Sequence, residues 1–304
     1  MGYTLKDSAS ALSIAVIGTG QIGSTFAYQL ARAGHDVTVI ARPASKRLQQ
    51  LKRDSGIVLT TGEQIKLHVA DNLNGDIAYD LVIVTVLAYQ VDALIPSLQR
   101  SKAKYIHCMF NIFEPERLRD AIGNHRCSFG MPFVMAMLDN EGRLKPTISS
   151  RRKTLHGDQR WVDLFNVAGI PSVYEPEMLL WLRCHAPLGI AFESIAVAGQ
   201  SRGGGATWLE AKAVARGMHA GFAIVKGLGY NLYPSAKSTL NSMPNFLIAF
   251  LLWLFSRIPS ARELLATGIN ECRALIDTIV AASAQAKPPL PEAVKELLAI
   301  RPKE

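Results

Sequence analysis

Residues 14–23, Ile14-Ala15-Val16-Ile17-Gly18-Thr19-Gly20-Gln21-Ile22-Gly23, set a short apolar run against a glycine-rich turn that opens a helix. The spacing G-x-G-x-x-G in this context binds the pyrophosphate of a dinucleotide. Gly18 permits the tight turn, Gly20 lets backbone approach the phosphates, and Gly23 lets helix and strand pack closely. The unpaired N–H groups at the helix start then meet negative oxygens. A second chemical signal lies at the end of the next apolar run, Val37-Thr38-Val39-Ile40. Dinucleotide folds that take NAD put an acid about 20 residues past the glycines, against the ribose 2′-hydroxyl. Here that place holds Ala41-Arg42-Pro43. An acid repels a 2′-phosphate, whereas an arginine fork bonds it, so Arg42 favours NADP(H) over NAD(H). Lys46, Arg47, Lys52 and Arg53, close behind, read as a solvated basic helix.

The elements around these residues agree with that chemistry. Phe26, Leu30 and Ala33 recur at helical spacing, Gly34 stops the helix, and a strand follows, completing a βαβ unit of about 30 residues. Downstream, Ser45 to Ser55 reads as a helix, Ile57 to Thr60 and Gln64 to Val69 as short strands, and Asp80 to Val86 as a buried parallel strand. A helix from Gln90 to Leu98, a strand Tyr105 to Met109, a helix Pro115 to Ile122 and strands Arg126 to Gly130 and Leu144 to Ile148 continue the alternation. The expected fold class is α/β, a Rossmann-type doubly wound parallel sheet over residues 1–175, with an all-α domain over residues 176–304. In the second part Glu177 to Ala198 reads as a helix interrupted by Pro187 and Gly189, and Gly199 to Ala206 as a flexible connection. Trp208 to Leu228, Met243 to Ser256, Ala261 to Ala284 and Pro291 to Ile300 complete the helices.

Bulk properties narrow the function. The chain has 304 residues, 49% of them hydrophobic, and a formal net charge of +8. The basic residues are scattered, with no zinc-finger spacing, basic tail or aromatic RNA-binding motif, so the charge suits anionic small molecules and not nucleic acid. The cysteines at 108, 127, 184 and 272 form no C-x-x-C pair and read as buried thiols of a reducing compartment. Met1 to Ser10 is polar, and the apolar run Phe246 to Phe255 is too short to span a bilayer as a helix. A cytoplasmic protein is expected, with that run as a buried or interface helix of a homodimer. No metal site is expected.

On these residues the chain resembles the ketopantoate reductase family. Gly18 to Gly23 is similar to the family's opening, and Val39-Ile40-Ala41-Arg42 with Leu48, Leu51, Gly56 and Ile57 to its continuation. Asp80 to Val91 resembles its fourth-strand segment. Trp161 to Gly169, Glu177 to Arg183, Gly227-Leu228-Gly229 and Pro234 also fit. The resemblance implies hydride transfer from NADPH to the ketone of a 2-oxo acid, with 2-dehydropantoate to pantoate, a step of pantothenate synthesis, as the type reaction. It implies a cofactor held by Gly18, Thr19, Gly20, Gln21, Ile22, Gly23 and Arg42, with Thr85, Val86 and Leu87 after the fourth strand.

The departures fall at the catalytic positions. Leu87 stands where the family has a lysine. Direct counting sets Phe110 at the family asparagine, and a one-residue gap sets Asn111 there. Trp181-Leu182-Arg183 puts Arg183 at the catalytic lysine, Pro187 and Ala191 at two helix asparagines, and Asn270-Glu271 at a Thr-Glu pair. The resemblance therefore implies Arg183, Glu271 and Asn111 as catalytic residues. Arginine binds a carboxylate or steadies an alkoxide but does not readily release its proton. His185 is a titratable neighbour that reads as a structural histidine, and His107 as core. Two alternatives stay open: a non-catalytic NADP-binding regulatory protein, and a reductase for a different 2-oxo acid or an opine-type substrate.

Overall fold

The computed structural model describes residues 11–265 and 268–302; the polar stretch Met1 to Ser10 lies outside them. The chain divides into two compact units. The first comprises residues 1–86, 91–110 and 119–176, and the second residues 87–90, 111–118 and 177–304. Two short segments that follow strands, Leu87–Gln90 and Asn111–Leu118, thus count with the helical unit.

The strands of the first unit are β1 (Ser13–Ile17), β2 (Asp36–Ile40), β3 (Gly56–Val58), β4 (Gln64–Lys66), β5 (His68–Ala70), β6 (Leu81–Val84), β7 (Tyr105–Met109), β8 (Cys127–Met131), β9 (Met135–Leu138), β10 (Leu144–Thr147), β11 (Thr154–His156) and β12 (Ser172–Tyr174). Its helices are α1 (Gln21–Arg32), α2 (Lys46–Arg53), α3 (Ile95–Arg100), α4 (Pro115–Ile122), whose first four residues count with the second unit, and α5 (Gln159–Val167). Eight strands form one sheet in the order β12-β11-β8-β7-β6-β1-β2-β5. All its pairings are parallel except β8 with β11. The exception has a topological cause. A parallel neighbour needs a crossover, usually a helix, and between β8 and β11 the chain makes only the β9–β10 hairpin before it returns. The sequence reading missed β9, β11 and β12. Every residue of β6 is buried, which is why its sequence is a continuous apolar run and not an alternating one. Ile14, Val16, Phe26, Leu30, Val39 and Ile83 centre the core.

Other boundaries move for local reasons. Gln64 to Val69 is not one strand. Leu67 turns its N–H to the Ser55 carbonyl at 3.1 Å, so β4 pairs with β3 while β5 joins the sheet edge beside β2. The helix expected from Gln90 begins only at Ile95, because Pro96 fits a helix only in its first turn.

A chain of buried polar groups ties the far strands. His107 Nδ1 lies 2.9 Å from Ser128 Oγ, His107 Nε2 2.9 Å from His156 Nδ1, and His156 Nε2 3.1 Å from Ser172 Oγ. The Trp161 indole N–H donates to Ser128 Oγ at 2.9 Å, and Ser172 Oγ–H donates to the Ile170 carbonyl at 2.9 Å.

The second unit holds α6 (Met178–Ser201), α7 (Trp208–Gly227), α8 (Ser235–Ser242), α9 (Asn245–Phe255), α10 (Pro259–Leu265), α11 (Ile269–Ala282) and α12 (Pro291–Ala299). Contrary to the sequence reading, α6 runs unbroken through Pro187 and Gly189 and on to Ser201. The Pro187 ring packs where Gly221 of α7 has no side chain; a Cβ there would come within 2.7 Å. Tertiary packing thus holds a helix that local preference would break. The span Ala261 to Ala284 divides into α10 and α11 at Gly268, where a Cβ would meet the Glu193 carboxylate at 2.7 Å. On α9, Ile248, Ala249 and Leu252 are buried, while Phe246, Phe250, Leu251 and Leu254 are exposed. No single helix among the described residues is long and apolar enough to cross a membrane. All four cysteines are buried free thiols.

Candidate active site

The glycine loop of the first unit is built by close backbone approach. Gly18 has φ +93°, and a Cβ on it would lie 2.9 Å from the Thr85 carbonyl carbon and the Val86 nitrogen. A Cβ on Gly23 would lie 2.2 Å from the Gly18 oxygen and 2.4 Å from Thr85 Oγ1. The Thr85 hydroxyl donates to the Gly18 carbonyl at 2.7 Å, so Thr85 buttresses the turn and Val86 packs beneath it. Gly20, the N-cap of α1, differs: nothing lies within 4 Å of a Cβ placed there. The first helical bond of α1 is Ser24 N–H to the Gly20 carbonyl, and the N–H groups of Gln21, Ile22 and Gly23 have no partner among the described residues. No side chain caps this end and no acid stands in its first turn. Open space, unpaired donors and the positive end of a helix together fit a pyrophosphate.

Beyond β2, Ala41 is buried and Arg42 exposed; the Arg42 carbonyl accepts from the Ser45 N–H at 3.2 Å, and its side chain has no hydrogen-bond or ion-pair partner among the described residues. Ala44 takes a left-handed φ of 57°, and Ser45 caps α2 by accepting from the Leu48 N–H at 3.1 Å. Arg47 corrects the sequence reading. It is not a solvated lysine-like neighbour: Nε donates to the Thr19 carbonyl at 3.0 Å, Nη1 to the Gly142 carbonyl at 2.7 Å, and Nη2 to Ser24 Oγ at 2.8 Å. Burial lowers its pKa to about 10. Nothing in the sequence separates Arg47 from Lys46, since its partners lie in the glycine loop, in α1 and, 95 residues away, in a hairpin.

In the second unit, α6 sorts its residues by face. Arg183 is buried, pairs with the Glu116 carboxylate, and lies over the rings of Tyr230 at 4.3 Å and Phe113 at 5.3 Å. Its Nε is buried without a partner. A small cavity there is lined by Glu114, Glu116, Arg117, Tyr230 and Gln285. Asn111 and Glu271 lie elsewhere. Trp181, His185, Gly189 and Glu193 follow one another every four residues and so form one row along the helix. Asn111 lies against this row at Gly189, where a Cβ would come within 2.4 Å of Nδ2, and its Oδ1 is buried without a partner. Glu271 meets the row at Glu193 and interacts with it electrostatically.

The structure therefore brings Asn111 and Glu271 to one row of α6 and turns Arg183 to another. Arg183 shares its row with Pro187 and Ala191, which pack into the helical interior. Counting from the tryptophan leads to the row of Arg183, Pro187 and Ala191, and Asn111 and Glu271 lie against the other. Phe110, the other candidate, is buried in the first unit. Leu87 donates its N–H to Gln90 Oε1 at 3.3 Å within the second unit.

Two residues the sequence reading set aside stand on the row. The His185 ring stacks on Trp181 at 4.5 Å, and burial, then the Lys237 charge, lowers its pKa to about 3, so it is neutral. Lys237, on α8, is buried and donates from Nζ to the Trp181 carbonyl at 2.8 Å.

Burial raises the proton affinity of both Glu193 and Glu271, and the Glu271 charge raises Glu193 further; the Cys272 thiol donates to Glu193 Oε2 at 3.2 Å. The folded protein thus binds more protons here than the unfolded chain. This contribution to stability is full below the ordinary carboxylate range and declines as pH rises through the folded values. Glu193→Gln is expected to remove part of that decline. Thermal midpoints taken from pH 5 to 9 should fall less steeply for the variant than for wild type. Parallel curves would show that the pair is not proton-linked.

Residues 14–155 match the family described as ketopantoate reductase PanE/ApbA. A PanE/ApbA family ketopantoate reductase from Ralstonia eutropha JMP134 has a TM-score of 0.71 at 18% identity, with 95% of this chain and 97% of that one covered. D-mandelate dehydrogenase in complex with NADH has a TM-score of 0.68 at 17% identity, over 95% and 98%. At such identities the likeness is one of fold. A stretch of 47 residues is 47% identical to D-amino acid dehydrogenase from Rhizobium rhizogenes, and it spans 16% of this chain and 11% of that protein.

Proposed function

With residues 14–155 belonging to the ketopantoate reductase PanE/ApbA family, we propose that this protein is a cytoplasmic NADPH-dependent reductase of a 2-oxo acid. The observation that carries the reading is the open glycine loop: N–H groups at Gln21 to Gly23 with no partner among the described residues, followed by an Arg42 side chain likewise without one where NAD folds put an acid. Gly18, Thr19, Gly20, Gln21, Ile22 and Gly23 would hold the pyrophosphate and Arg42 the 2′-phosphate, with Thr85 and Val86 supporting the turn.

The bound cofactor supplies hydride to the ketone carbon. The protein must then orient the substrate and give the new alkoxide a proton. Asn111 is suited to orient the substrate, because its buried amide still has an unmatched oxygen. Glu271 is suited to supply the proton, since burial favours its neutral carboxyl; proton transfer leaves a carboxylate there and a hydroxyl on the product. Arg183, already paired with Glu116, is assigned a part in holding the helical unit's interior and no proton. The exposed apolar face of α9 supports a homodimer. The pairing of Arg183 also supports a second reading, a non-catalytic NADP-binding protein, which predicts NADPH binding without turnover.

NADPH oxidation with 2-dehydropantoate, phenylglyoxylate and other 2-oxo acids tests the proposal. NADPH-specific turnover of at least one is expected, and binding without any turnover would leave the second reading. Arg42→Asp should raise the KM for NADPH by about 10- to 100-fold, the value of a charge-assisted phosphate contact, with little change for NADH. An unchanged cofactor preference would remove Arg42 from the site.

A further inference from the structure

The glycine loop has open space and free donors, but a peptide group also has to face the right way. The Thr19–Gly20 peptide is trans, so its carbonyl and its N–H point in opposite directions. The Thr19 carbonyl accepts two hydrogen bonds from within the protein, from Arg47 Nε at 3.0 Å and from Ser24 Oγ at 3.0 Å. The Gly20 N–H, on the opposite side of the same peptide, has no backbone or side-chain acceptor among the described residues. Arg47 also reaches Ser24 Oγ at 2.8 Å and the Gly142 carbonyl at 2.7 Å. One planar fork therefore spans the glycine loop, the first turn of α1 and the tip of the β9–β10 hairpin. All its acceptors are neutral oxygens, and no carboxylate hydrogen-bonds to it.

We propose that Arg47 is the positioning residue that fixes the Thr19–Gly20 peptide with its N–H outward, toward the phosphates of a bound dinucleotide. Three features support a geometric role. The guanidinium is rigid and its donors diverge at fixed angles, so three acceptors on separate segments determine one orientation. Gly20 carries no side chain that would otherwise resist a peptide flip. Arg47 lies two residues beyond the Ser45 cap, so the same clamp fixes the end of α2 that follows Arg42. The pyrophosphate loop and the segment proposed for the 2′-phosphate are thus held against one support. A flipped peptide would aim the Thr19 carbonyl at the phosphates, replacing a donor by a repelling acceptor.

The inference rests on the reading of the glycine loop as a dinucleotide site, and titration of wild type with NADPH, followed by its fluorescence, tests that reading first. No binding to wild type would overturn both. With wild type binding, Arg47→Ala is expected to raise the NADPH Kd by about tenfold or more. Arg47→Lys should recover little of this, because an ammonium keeps the charge and not the fork. Ser24→Ala, a milder change that keeps Arg47, should raise Kd by a smaller factor, and it stands in if Arg47→Ala does not fold. The Gly20 amide resonance, read in 15N-labelled protein without cofactor, is expected to shift in each variant. Unchanged Kd with a lowered thermal midpoint would show Arg47 to be structural only and overturn the proposal. Full recovery by Arg47→Lys would also overturn it, assigning the effect to charge.

Discussion

Gly20→Ala is expected to leave the fold intact and weaken NADPH binding by about 10- to 100-fold, while Gly23→Ala, three residues on, destabilises the loop itself. The contrast follows from two surroundings. A Cβ on Gly20 meets no protein atom within 4 Å and the residue has φ −72°, which any residue adopts. The methyl group would occupy only the space proposed for phosphate. A Cβ on Gly23 would lie 2.2 Å from a backbone oxygen. Neither the turn at Gly18 nor the start of α1 yields without breaking the Thr85 bond to the Gly18 carbonyl. Overpacking of this kind costs about 3 kcal/mol or more. Thermal midpoints without cofactor and NADPH titrations separate the two effects. Full affinity in Gly20→Ala would mean that no phosphate sits above the start of α1.

The second large effect concerns the buried histidines. Ser172 turns its proton to the Ile170 carbonyl and so accepts from His156 Nε2. Trp161 N–H, a donor only, gives to Ser128 Oγ, whose own proton faces the nearer acceptor, His107 Nδ1 at 2.9 Å, with the Ile106 carbonyl at 3.5 Å. His107 then carries its proton on Nε2 and gives it to His156 Nδ1; His156 gives its own to Ser172, and Ser172 to the Ile170 carbonyl. Every donor points one way along the chain, and burial keeps both rings neutral. Burial lowers His156 to about 3, against a weaker opposing pull from Asp158, and burial, then the charge of His156, lowers His107 well below its usual value. The unfolded chain therefore takes up protons that the folded protein refuses. Stability is full above about pH 6.5 and is lost as pH falls toward the folded values, at about 1.4 kcal/mol per pH unit for each histidine.

His156→Leu strands the His107 Nε2–H and removes the donor to Ser172. The cost is about 2–4 kcal/mol at neutral pH, with a shallower acid limb, since one of two linked groups is gone. Urea unfolding at pH 7.5 and 5.5 checks both. Equal wild-type stability at the two pH values would refute the neutral chain.

Where sequence sufficed, the cause was local. Chirality and sterics bar residues with a side chain from the φ of +93° at Gly18, so a glycine marks the turn, and with its helix and the strand before it the turn was readable from a few neighbouring residues. The continuous apolar run of β6 likewise reports burial on both faces. The absence of an acid after β2, on which the proposal of NADP(H) rests, is also a property of a few adjacent residues.

Where sequence failed, the cause was a partner distant along the chain. Pro187 reads as a helix breaker until Gly221 makes room for it. Arg47 reads as one of four solvated basic residues until a hairpin brings the Gly142 carbonyl to it. Counting from a tryptophan leads to Arg183, and it carries no information on which helix face meets Asn111. Glu193 and Lys237 offered no pattern at all; their significance lies in burial and in the elements packed against them. The sequence by itself determined the glycine loop and the two-part plan, because backbone geometry and hydrophobic period are encoded within a few neighbouring residues. Only the tertiary structure decided which side chains share the candidate site, because a helix presents a different face every two residues and its packing partners choose among them.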